Sequence, residues 1–87
     1  MGSSELTTLP NIGKTLATKL IQCGIDDINS LKTSGSENAF LRIKSIDDSA
    51  CINMLYALEG AIQGVRWHAL SSDKKNELKD FYNLSCL

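Results

Sequence analysis

This chain of 87 residues has one proline, one histidine and no excess of positive charge. Nine Lys plus Arg stand against ten Asp plus Glu, a net charge of −1, whereas a domain that grips nucleic acid usually shows a clear basic excess. The balance weighs against strong DNA binding and leaves room only for a local patch. With His68 as the single histidine and no CxxC spacing among Cys23, Cys51 and Cys86, a Cys/His zinc site is short of ligands. An odd number of cysteines without a framework spacing points instead to reduced thiols in a cytoplasmic protein. No apolar run approaches the roughly 20 residues that cross a bilayer, and no signal peptide is recognisable at the start. Also missing are long apolar–polar alternation, a glycine-rich oxyanion turn and a paired-carboxylate site. Strands, catalysis and a bound cofactor are therefore not expected.

What remains is helical spacing throughout, in a chain with room for one small domain, placed at residues 5–84. A short helix is expected over Ser4 to Thr8, stopped at Pro10 because the residue before proline is pushed out of the helical region. The next runs from about Lys14 to Cys23, with Leu16, Ala17, Leu20 and Ile21 on one face and Gly24 closing it. Asp26 or Asp27 can cap a short third helix, "DINSLKT". Gly35 then breaks the chain, and Ser36 caps a helix expected to bury Phe40, Leu41 and Ile43. The most apolar segment, Ser49 to Val65, carries Cys51, Leu55, Leu58, Ile62 and Val65 at three- and four-residue steps and reads as the spine of the core. Its glycines, Gly60 and Gly64, read as places of close helix approach. After "RWHAL", Ser71 or Ser72 caps a last helix that turns Leu78, Phe81 and Tyr82 to one side. The expectation is an all-α domain of five to six helices.

The corner "LPNIGKTLA" is the most suggestive piece of local chemistry. Proline ends one helix, Ile12 can plug the core, and Gly13 permits a close approach before a new helix starts. The first amides of that helix have no internal partner and carry the positive end of its dipole, so with Lys14 beside them they form a ready anion site. The pattern resembles the helix-hairpin-helix motif, whose hairpin reads apolar-Pro-Gly-apolar-Gly with an alanine four residues after the second glycine. Leu9, Pro10, Asn11, Ile12, Gly13 and Ala17 occupy those positions, with Asn11 in place of the first glycine. The resemblance implies hairpin amides that hold DNA phosphates without reading sequence, here Asn11, Ile12, Gly13 and Lys14 with Lys19 in support. Shifting the chain by 34 residues aligns "LPNIGKTLATKLI" with "IKSIDDSACINML". That makes a degenerate second hairpin, in which Ile46 matches Ile12, Cys51 matches Ala17, and Asp47 and Asp48 repel phosphate.

A more specific resemblance lies in "CINMLYALEGAIQGVRWHAL", together with "LPNIGKTLATKL" and "AFLRI". These stretches look like the C-terminal domain of the TfoX family, bacterial regulators of natural competence, over about Leu6 to Leu78. Family members often carry an N-terminal TfoX domain, so the chain is expected to be either a stand-alone version or a portion of a longer protein. The resemblance implies a regulatory role and brings no catalytic residue. Two readings of the sites follow. In one, Arg66, Trp67 and His68 form an anchor for a protein partner, a second copy of the chain included. In the other, the Asn11–Lys14 corner binds DNA weakly and without sequence preference. Against the first stands Trp67 as a simple lid on the core, and against the second a plain helix–helix turn. Glu59 has no helical ion-pair mate, and "KKNELKD" reads as a solvated helix face.

Overall fold

The structure, a computed structural model, describes residues 6–85. Among them lie four α-helices: α1, Lys14–Gln22; α2, Ile28–Ile46; α3, Ile52–Gln63; and α4, Ser72–Ser85, with a 3-10 turn at Trp67–Ala69 between the last two. No strand occurs among the described residues, and no helix of theirs is long and apolar enough to cross a membrane. The expected Ser4–Thr8 helix begins outside the described residues; inside them Leu6 is helical and the chain turns from Thr7.

Four helices stand against the expected five to six because "DINSLKT" and the segment after Ser36 join into one element and the first expected helix begins outside the described residues. Asp27 caps it, its carboxylate accepting from the Ser30 amide at 2.6 Å. Gly35 sits inside it at φ 81°, ψ 160°, backbone that is essentially reserved for glycine. The break expected at Gly35 is thus present, as a kink of non-helical backbone between two helical stretches of α2. Leu41, expected in the core, is 42% exposed; Ala39, Phe40 and Ile43 fill that face.

Helix α3 packs on α2, on α4 and on the 3-10 turn, burying Leu55, Leu58, Gly60 and Ala61. It is shorter than expected at both ends. Cys51 is not a core residue but the exposed residue ahead of its first turn, and Ala50 occupies the interior beside it. At the other end Gly64 closes the helix at φ 77°, its amide bonded to the Ala61 carbonyl and the Val65 amide to Gly60. Gly64 is thus a terminator, not a helix-contact glycine. In α4, Leu78 is buried, and Tyr82 meets Phe40 with ring centroids 5.8 Å apart.

The turns before α1 and α3 share one hydrogen-bond pattern. The Ile12 amide donates to the Leu9 carbonyl, and the Ala50 amide to that of Asp47. Gly13 and Cys51 are the extended residues that open the two helices, an offset of 38 residues rather than 34. In this register Ile12, Ala17 and Leu20 match Ala50, Leu55 and Leu58, all buried. Ile46, which the shorter offset would make the plug, is 51% exposed.

Candidate binding surface

At the first corner the backbone leaves α1 open to solvent at its N-terminus. Gly13 supplies no side-chain cap, and the first turn holds no acidic residue. Gly13, Lys14 and Thr15 are exposed, while Ile12 is buried as expected. The amides there keep the unpartnered, positive character of a helix start.

Asn11 does something else. At φ 68° it alone among the described non-glycine residues has positive φ, a conformation asparagine tolerates better than most. Its side chain points inward. The Nδ2 group donates to the Val65 carbonyl at 3.0 Å and to the Ala57 carbonyl at 3.5 Å, and Oδ1 accepts from the Trp67 amide at 3.2 Å. Gly60 makes room for it. A Cβ on Gly60 would lie 2.5 Å from Asn11 Nδ2, 2.8 Å from the Val65 oxygen and 3.2 Å from the Trp67 nitrogen. The glycine that read as a helix-contact position thus admits a side chain from the opening corner.

Lys19, expected to support a phosphate, forms an ion pair with Asp47 in the second turn. Asp47 also accepts from the Ser49 amide at 3.0 Å and from its hydroxyl. The second corner is thus acidic, self-bonded, and draws one of the first corner's cations to itself.

Beyond the end of α3, Asn11 connects the corner with the Arg66–His68 segment. Trp67 is half-buried against the core; its ring stacks on His68 at 3.9 Å and near-parallel to Tyr56 at 6.1 Å. Lys75 from α4 holds its ammonium 5.6 Å from the tryptophan centroid and reaches the His68 carbonyl at 3.5 Å. Arg66 and His68 are exposed. Among the described residues, Lys14, Arg66 and Lys75 have no carboxylate partner. Tyr56 and Lys75 were not singled out in the sequence; the first belongs to the spine and the second to a run that reads as a solvated face. Each lies on a different element from Trp67, so no periodicity within one helix could have announced the stack.

Glu59 lies on another face. It accepts from the buried Ser36 hydroxyl at 2.7 Å and from the Gln63 amide at 2.6 Å, not from the "RWH" segment. Lys74 nearby is held protonated above its usual range, first by its bond to Glu77. Burial pushes the half-buried Cys23 thiol up against the opposing pull of Arg42, which disfavours a reactive thiolate. No group of three or more potential metal ligands occurs among the described residues.

With this geometry in hand, known proteins supply the comparison. The family model described as the TfoX C-terminal domain matches residues 2–82. Protein Sxy of Escherichia coli (strain K12) is 32% identical over 77 residues, covering 88% of this chain and 37% of Sxy. The chain therefore spans little more than a third of that relative. Two crystal structures from Listeria monocytogenes share the fold at 54% identity. One, of an uncharacterized protein in a triclinic form, has a TM-score of 0.90 and covers 91% of this chain and 90% of its own. The other, of a protein of unknown function in a tetragonal form, scores 0.87 and covers 90% and 96%.

Proposed function

This chain belongs to the TfoX C-terminal domain family, and from that premise we propose that it is a non-catalytic regulatory module acting through protein–protein recognition. The process it serves is the regulation of competence or of gene expression, in keeping with the family. The observation that carries this reading is the Trp67 cluster. A half-buried tryptophan stacked on Tyr56 and His68, with Lys75 over the ring and unpaired Arg66 beside it, is the aromatic-and-arginine composition that concentrates binding energy at interfaces. The ring has already lost most of its rotamer freedom, so docking on it costs little ordering entropy. A two-hybrid screen with the whole chain tests the reading. Trp67→Ala should abolish recovered interactions, self-association included, while Lys14→Glu should leave them intact. Interactions that survive Trp67→Ala would sink it.

A second reading, weak DNA binding through a helix-hairpin-helix-like corner, draws on one specific observation. The start of α1 is uncapped, free of acid and flanked by exposed Lys14. The matching turns ahead of α1 and α3 are the kind of pair such domains use. Against it stand Lys19 tied to Asp47 and the carboxylates of the second corner. One remaining lysine at the site would support only affinities at or below about 10⁻⁴–10⁻⁶ M.

A further inference from the structure

We propose that Asn11 is the positioning residue of the Trp67 surface, acting through a slot that Gly60 leaves open. The proposal rests on the reading of Arg66–His68 as the docking site and says what holds that site in shape. The segment after Gly64 needs such support. Val65 lies beyond the last turn of α3, so its carbonyl has no helical donor, and Trp67 opens the 3-10 turn, so its amide has no helical acceptor. Asn11 answers both, with Nδ2 on the Val65 oxygen and Oδ1 on the Trp67 nitrogen. The Val65 oxygen and the Trp67 nitrogen are also two of the three atoms that a Cβ on Gly60 would meet, the third being Asn11 Nδ2 itself. One side chain from the first corner thus caps the end of one helix and the start of the next turn, 54 and 56 residues away in sequence. It does so while its own backbone holds the positive φ of the corner. Asn is the residue type that meets all three demands: tolerance of that φ, a donor and an acceptor on one short stem.

Asn11→Gly tests this cleanly, because glycine keeps the turn at no steric cost and removes only the side chain. In the variant, amide exchange at Trp67 should accelerate at least about tenfold, the loss of roughly one hydrogen bond's protection. Exchange at Phe40 and Ile43 in the core of α2 should accelerate less than at Trp67, by no more than the loss of global stability. Tryptophan fluorescence should move to the red as the ring loosens. Asn11→Asp keeps the acceptor for the Trp67 amide but loses the donors and sets a carboxylate oxygen against the Val65 carbonyl, so protection at Trp67 should fall between that of Asn11→Gly and that of the parent chain. An unchanged Trp67 amide in Asn11→Gly would overturn the proposal. So would acceleration spread equally over α2, which would make Asn11 a general stabiliser. Should Trp67 loosen while a partner recovered in the two-hybrid screen still binds Asn11→Gly but not Trp67→Ala, positioning fails and the docking site stands. Should Trp67→Ala itself leave binding intact, the site reading fails while the exchange result still decides the brace.

Discussion

Gly60 is where helix propensity and packing pull in opposite directions, and magnitudes decide between them. Replacing a helix-interior glycine with alanine ordinarily gains about 1 kcal/mol. Here the new methyl would meet Asn11 Nδ2 at 2.5 Å and backbone oxygen at 2.8 Å, an overpacking that costs about 1–3 kcal/mol. Expelling Asn11 forfeits its hydrogen bonds as well, at about 1 kcal/mol apiece. Gly60→Ala should therefore destabilise by about 2 kcal/mol and lower the melting temperature by roughly 10 °C for a domain of this size. A rise in melting temperature would show that the slot relaxes freely. In the Asn11→Gly background the same substitution should cost less, since one of its three close contacts is gone, and a double-mutant cycle reads that difference.

At the scale of elements, α2 carries two features that can be tested separately, its kink and its cap. The kink at Gly35 has φ 81° and ψ 160° with open space around the missing Cβ. Gly35→Ala should thus cost about 1–3 kcal/mol through backbone strain alone, measured by denaturant unfolding at unchanged m. The N-cap Asp27 is held below the ordinary carboxylate range by the backbone bond from Ser30 and then by its side chain. A carboxyl group with a depressed folded value stabilises above its unfolded pKa, near 4, and loses that contribution as pH falls through the lower folded value. Melting temperatures followed from pH 7 downward should therefore separate Asp27→Ala from the parent chain above about pH 4 and bring the two together in stronger acid. A constant gap at all pH values would count against the cap. The close of α1 and the start of α4 were legible in the sequence, because Gly24 and the Ser71–Ser72 pair are local signals acting within a few residues, and the bond from the Lys74 amide to the Ser71 hydroxyl picks Ser71 as the cap. The kinked joining in α2 was not, since a glycine break looks the same in one dimension whether the chain stops or bends. The repeat went astray for a similar reason. Apolar residues align at more than one offset, and only the turn bonds of Ile12 and Ala50 select 38 over 34.

For the molecule as a whole, near-zero net charge makes salt the discriminating variable. A titration with a short DNA duplex at low and then higher salt, followed amide by amide, should leave Ile12 to Thr15 unmoved if recognition is of protein. Salt-sensitive shifts confined to those residues would favour the phosphate reading, with log affinity falling by about 0.9 per phosphate for each decade of salt. Asp47→Ala sharpens the comparison, because it frees Lys19 and should steepen that slope only if the corner touches phosphate. The candidate residues Asn11–Lys14 and Arg66–His68 were each visible in the sequence as separate stretches. That one side chain joins them was not, since a bond across 56 residues leaves no periodicity to read.

The same bond sets an order on the making of the molecule. The corner is complete in sequence by Lys14, yet its inward partners include Val65 and Trp67. A chain emerging from the ribosome from its N-terminus would expose the turn, α1 and the whole of α2 while Asn11 still had nothing to hold. The piece that looks most self-sufficient on paper is among the last to be finished, and the loop it closes takes in more than half of the protein.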